Sequence, residues 1–195
     1  ADPRFLPTST NVRIRVLHRM LHMWRPVNLE FRNLEFFGGS IKVEGVNILF
    51  EDCEFKQLHD ITLPALMLDG SRCTGLYSWG AEFVNCKFSE IPYVYNVKIR
   101  GISSRVENCL FTNMDWWTNP GGGGAELGRI ARYVTFENSK IGGLGGSPLM
   151  EYCRIEDFKD PCDCSGINKG AHGAPRSMTR YNWIINGPGA NGIRI

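Results

Sequence analysis

Four stretches of the chain repeat one order of apolar and polar positions. They are Phe31-Arg32-Asn33-Leu34-Glu35-Phe36, Phe50-Glu51-Asp52-Cys53-Glu54-Phe55, Phe83-Val84-Asn85-Cys86-Lys87-Phe88 and Val106-Glu107-Asn108-Cys109-Leu110-Phe111. Ahead of them, Leu29/Phe31 and Ile48/Phe50 alternate with polar residues, the period of a strand with one buried side. The Asn or Asp that follows predicts a bend, because its short polar side chain tolerates unusual backbone angles. The Cys (or Leu34) and the closing Phe lie two apart, so both point inward on the next strand. The unit is therefore strand, bend, strand. Three weaker copies are Phe136–Ile141, Met150–Ile155 and Thr179–Ile184. The closing apolar residues fall at 36, 55, 88, 111, 141, 155 and 184, at intervals of 19, 33, 23, 30, 14 and 29. An interval of 14 is short for a full coil, so one of the copies closing at 141 and 155 is out of column.

A pair of such short strands cannot bury its apolar face alone, but stacking copies in parallel does. Repeated units of this form, spaced by roughly twenty to thirty residues, resemble the right-handed parallel β-helix of the pectin-lyase-like superfamily. The resemblance covers residues 28–195 and implies an all-β solenoid. Cys53, Cys86, Cys109 and Cys153 then stack as a buried ladder, with Leu34 and Ser139 in the same column. Stacked side chains pointing one way suit neither a tetrahedral metal site nor a disulfide, so the ladder reads as packing. On that reading Cys86→Ser puts a hydroxyl where the core offers no partner. Asn33, Asn85, Asn108 and Asn138 read as an asparagine ladder at the bend.

Residues 11–25 begin with Val12, Ile14 and Val16 in strand alternation, followed by Leu17, Met20, Leu21 and Trp24 at helical spacing. The expectation is an N-terminal cap over residues 1–27, strand plus short amphipathic helix, covering one open end. Ala1-Asp2-Pro3 reads as a vector scar. At the other end "NGIRI" reads as half a coil. Its unpaired edge implies a fragment of a longer β-helix, or docking on a partner or a second copy.

Composition narrows the function. In 195 residues the formal net charge is +2, too mild to argue for nucleic acid, and no apolar run is long enough for a membrane span. Seven cysteines leave at least one thiol unpaired within the chain. Cys162 and Cys164 form a CxC too tight for the usual zinc spacing, and no metal site is expected from the sequence.

The intervals 56–80, 89–103, 112–133 and 156–177 read as loops that wall a groove, and function is expected there. Trp116 and Trp117, beside a glycine run, are candidate sugar-stacking residues, with Trp79, Tyr77, Tyr93 and Tyr95 nearby. The alternative reading is that one tryptophan anchors its own loop. The densest polar region, 156–180, holds Glu156, Asp157, Asp160, Asp163, Lys169, His172, Arg176 and Arg180, with Arg194 beyond it. Glycoside hydrolysis needs paired carboxylates; uronate elimination needs a base and a cation or Ca²⁺. "DCSGINKG", "AHG" and "GIRI" resemble polygalacturonase motifs, which implies Asp163 as acid, His172 as positioning residue and Arg194 as substrate-binding. Against that match, Cys162 replaces the first acid of a pair and the upstream Asn-Thr-Asp motif is missing. "INKG", "TRYNW" and "GIRI" are similar to the coils of alginate-lyase and chondroitinase-B-type lyases, which implies Lys169 as base and Arg194 as acid. Asp160 and Asp163 are approximate stand-ins for that family's Ca²⁺-binding glutamate.

The expectation is an extracellular or surface-exposed, carbohydrate-facing β-helix that binds or cleaves an acidic polysaccharide. It needs no cofactor unless a lyase uses Ca²⁺. Trp116, Trp117, Arg176 and Arg180 are its substrate-binding candidates. The competing expectation is a non-catalytic structural or adhesive β-helix. A groove of converging carboxylates and cations favours the first, and acidic groups all paired on the outer surface favour the second.

Overall fold

The computed structural model describes residues 19–58, 76–91, 97–101, 103–114, 125–138, 144–145, 147–157, 165–168, 177–186 and 191–194. These residues form a parallel β-solenoid. Its first three coils each begin with one long strand: β1 Arg19–Arg32, β3 Ser40–Glu51 and β5 Leu76–Val84. Each is followed by a three-residue strand: β2 Glu35–Phe37, β4 Glu54–Lys56 and β6 Lys87–Ser89. In later coils the long strand divides in two. The fourth coil has β7 Val97–Arg100, β8 Arg105–Glu107 and β9 Leu110–Thr112, and the fifth β10 Ala125–Leu127, β11 Ile130–Arg132 and β12 Thr135–Glu137. The sixth has β13 Leu144–Gly145, β14 Leu149–Glu151 and β15 Arg154–Glu156, and the seventh β16 Ser165–Asn168, β17 Met178–Arg180 and β18 Trp183–Ile185. β19 Asn191–Arg194 starts an eighth. Every strand pairs in parallel with its counterpart one coil away, so three faces run along the stack.

The first face was hidden inside the expected loops. Segments 76–80, 97–100, 125–127 and 165–168 are strands, and their inward residues Leu76, Val97, Ile99, Ala125, Leu127 and Ile167 are buried. These strands are too short for alternation to stand out in the sequence around them. The expected helix is also corrected. Met20, Leu21 and Trp24 lie in β1, paired with β3, because the edge of a neighbouring strand satisfies their backbone more completely than one isolated helical turn could.

The core consists of ladders. Phe31, Phe50 and Phe83 stack along the second face, with centroids 4.7 and 4.9 Å apart. Phe36, Phe55, Phe88 and Phe111 stack along the third at 5.0, 4.8 and 4.4 Å, and the two columns meet edge to face between Phe50 and Phe55. Cys53, Cys86, Cys109 and Cys153 form the expected buried, unbridged ladder. The backbone ladder runs through this bend without a break: Lys87 N–H donates to Cys53 O, Leu110 N–H to Cys86 O and Thr135 N–H to Cys109 O, each at 2.9 Å. Cys73, Cys162 and Cys164 lie outside the described residues.

The fifth copy is out of column, and the register identifies it. Phe136 pairs with Phe111, so it closes its unit rather than opening one. The true copy is Ala131-Arg132-Tyr133-Val134-Thr135-Phe136. Val134 takes the place expected of Ser139, which lies outside the described residues. Asn138 therefore leaves the ladder of Asn33, Asp52, Asn85 and Asn108 and joins a second bend with Asn113, Asp157 and Asn186. Both bends hold their residues at positive φ, between 51° and 55° at these positions. The expected side-chain bonding along the stack is present where Asn108 Nδ2 donates to Asn85 Oδ1 at 2.8 Å.

One expectation about the ladder changes. The Cys86 thiol donates to Val84 O at 3.3 Å and to Phe50 O at 3.4 Å, so the core does offer acceptors. Its contact with Cys109, and then burial, push the Cys86 thiol pKa far up, which keeps it protonated. Cys86→Ser is expected to cost roughly 1 kcal/mol in urea unfolding, since its hydroxyl meets the same carbonyls. A loss of about 3 kcal/mol or more would mean that the hydroxyl finds no acceptor. Native-state labelling of Cys53, Cys86 and Cys109 should be slow.

Candidate functional site

The most chemically developed outer surface is the corner where the second face turns into the third, over the last three described coils. Arg132, Glu151 and Arg180 are the final residues of β11, β14 and β17 and fall in one register column. Arg132 Nε donates to Glu151 Oε2 at 2.8 Å, and Arg180 Nε donates to Glu151 Oε1. The three side chains are unequally accessible: Glu151 is 3% exposed, Arg132 40% and Arg180 50%. Solvent therefore meets two guanidiniums with their shared carboxylate beneath.

Arg180, against burial and with help from Arg132, holds the Glu151 carboxyl below the ordinary glutamate range. A depressed carboxylate contributes stability above its unfolded pKa, and that contribution is lost as pH falls through the folded one. The Glu151 contribution should thus be complete at neutral pH and decline only in acid, below the usual glutamate range. Thermal melts across that range check it: Glu151→Gln should flatten this part of the acid-side slope, and an unchanged slope would contradict the pairing.

The residue after each of these three is a tyrosine. Tyr133, Tyr152 and Tyr181 stack with centroids 5.3 and 5.1 Å apart, and the Arg180 guanidinium lies 5.5 Å from the Tyr181 ring. They occupy the column that the earlier coils fill with Asn33, Asp52, Asn85 and Asn108, and all have φ between 51° and 58°. Asn and Asp accept that conformation cheaply, whereas a bulky ring does so at a cost of about 1–2 kcal/mol. Ring stacking offsets part of it. Trp183, beside Tyr181 across the bend, is 66% exposed. Next to it in register is Arg154, paired with Glu156 at 2.6 Å.

A second concavity follows the bend between the first and second faces. One part, of about 620 Å³, is lined by residues including Ser103, Ser104, Arg105, Arg129 and Leu149. Ser104 Oγ accepts from Arg129 N–H at 3.0 Å and fixes that wall. The acids at this bend are neutralised, with Glu82 2.7 Å from Arg105 and Glu30 3.0 Å from Arg32. Nearby, Trp24 and Trp79 are exposed on strands, where the sequence predicted a helix and a loop. Lys42 stands 5.8 Å from the Trp24 ring.

Of the residues singled out from sequence, Arg180 belongs to the corner just built, Glu156 is paired with Arg154, Asp157 Oδ1 accepts from Asn186 Nδ2 at 3.2 Å, and Trp79 is exposed. Arg194 lies in β19, in register with Asn168, and its side chain is outside the description. Asp160, Asp163, Lys169, His172, Arg176, Trp116 and Trp117 lie outside the described residues. Sequence reasoning passed over Arg132, Glu151 and the tyrosine column. The available signal was the pair Arg132-Tyr133 recurring as Arg180-Tyr181, which becomes visible once the fifth copy is set in phase.

No family model, curated protein or solved structure matches the chain. Among the described residues no cluster of three or more His, Cys, Asp or Glu could hold a metal ion. No helix among them is long and apolar enough to cross a membrane.

Proposed function

We propose that this protein is a carbohydrate-facing β-helix, right-handed and of the pectin-lyase-like kind, secreted or surface-exposed, that binds an acidic polysaccharide along its outer corner. One observation carries the reading: two exposed guanidiniums above a hidden carboxylate, in register beside three stacked tyrosines. Guanidinium is the side chain best suited to bind carboxylates, and aromatic rings with polar tips suit sugars, which are amphipathic. A right-handed coil agrees with the near-universal hand of parallel strand crossovers. The test is binding to soluble polyuronates and hyaluronan against neutral dextran by calorimetry, with absorbance of unsaturated products followed in parallel. Acidic polymers should bind, dextran should not, and Arg180→Gln should weaken the binding. Failure of every acidic polymer to bind would overturn the proposal.

A non-catalytic, structural or adhesive role is the second reading, and a specific observation favours it over cleavage. Carboxylates are stitched to cations on neighbouring coils at Glu54–Lys87, Glu82–Arg105, Glu126–Arg100 and Glu151–Arg180. Paired in this way, they act as cross-links between coils rather than as acids and bases. Binding without any rise in product absorbance is the outcome this reading expects.

A further inference from the structure

The spacing of charge along the corner narrows the ligand further, on the basis of the polysaccharide reading above. We infer that the corner is matched to a polysaccharide carrying one acidic group on every second sugar, and not to a polymer acidic at every sugar. Each of the three coils supplies one tyrosine ring, at steps of 5.3 and 5.1 Å. In the register column of Arg132, Glu151 and Arg180, guanidiniums come from the first and third coils. Arg132 and Arg180 are two strands apart, roughly 10 Å along the stack axis. Two sugar rings of an extended chain cover about that length. The middle coil presents Tyr152, while its charged residue, Glu151, is already bonded to both arginines and 3% exposed.

A chain laid along the axis with one acid per disaccharide sets a carboxylate at each guanidinium and an uncharged sugar over Tyr152. A chain acidic at every sugar sets its middle carboxylate over the rung whose residue in this column is the acid Glu151. The ring at that rung is costly for its backbone, with φ of 57° where asparagine would sit readily. A binding role accounts for a strained aromatic there. Arg154, the nearest further cation on that coil, lies across the bend in register with Trp183, outside the column of Arg132 and Arg180, and is paired with Glu156.

The test compares hyaluronan, acidic at alternate sugars, with polygalacturonate, acidic at every sugar, at matched chain length and ionic strength. Hyaluronan should bind about tenfold more tightly, the scale of one charge-assisted hydrogen bond. Arg132→Gln and Arg180→Gln should each reduce that affinity. Tyr152→Asn restores the side chain that the earlier coils use at this bend, so it should fold with unchanged or higher melting temperature and still bind hyaluronan more weakly. Equal or tighter binding of polygalacturonate, weakened by Arg180→Gln, would overturn the inference and leave the acidic-polysaccharide reading standing. Hyaluronan binding untouched by Tyr152→Asn and both arginine variants would put the ligand elsewhere and overturn it too. Binding of neither polymer would overturn both.

Discussion

Phe83→Ala is expected to destabilise the protein by about 3–5 kcal/mol, the usual cost of emptying a buried phenylalanine site. Phe83 is fully buried. It stacks on Phe50 at 4.9 Å and meets Phe55 and Phe88 at 5.7 and 5.8 Å, so it joins the two aromatic columns. On its far side the column narrows to Val106 and then Ala131, in register with it. No larger neighbour on that side can move in to fill the space. The cavity should persist, and its cost should approach the upper end of the range. Urea unfolding with an unchanged slope would measure it. In a solenoid the damage should also be local, so amide exchange should accelerate most in the second to fourth coils. A loss below about 1 kcal/mol would mean that the column is loosely packed.

Gly80→Ala is expected to cost roughly 3 kcal/mol, from two sources that act together. Gly80 has φ of 78°, outside the range that residues with a Cβ adopt readily. A methyl built on it would lie 2.5 Å from the Gly45 carbonyl oxygen, which is backbone and belongs to the hydrogen-bonded neighbouring strand. The next coil repeats the constraint: a methyl on Gly101 would lie 2.8 Å from Gly80 N. The coils approach this closely because the chain changes direction at the bend between the first and second faces. Gly38 is the control. It too has positive φ, 64°, but nothing stands within 4 Å of an added Cβ. Gly38→Ala should therefore cost only the conformational part, and equal losses at the two positions would rule out the steric argument.

Much of the fold was legible because a stacking repeat writes the same requirement once per coil. Phe50, Phe83 and their neighbours must be apolar because each lies on the next. The cysteine column is apolar from Cys53 through Val134 to Cys153 because it turns a corner inside the core. The site was far less legible. Arg132, Glu151 and Arg180 are separated by 19 and 29 residues, and no local pattern joins them. Neither arginine looks different from any exposed strand residue until the register places a carboxylate between them.

The sequence by itself determined the parallel stack, the buried thiol column and the bends at asparagine, because each follows from alternation and backbone preference within six residues. It could not determine the phase of the fifth copy. In the fifth coil both bends follow a three-residue strand with an inward apolar centre, Ala131 in β11 and Phe136 in β12, and both bends hold Asn in other coils, so Phe136-Glu137-Asn138 satisfies either reading locally. Only pairing across coils separates them, since Phe136 stands opposite Phe111 and not opposite Val106. The same holds for residues 20–24, whose helical spacing lost to the hydrogen bonds of a neighbouring strand. The charged and aromatic corner likewise exists only in the tertiary structure. Segments of unequal length separate its members in sequence, and the ladder spacing of about 4.8 Å brings them together.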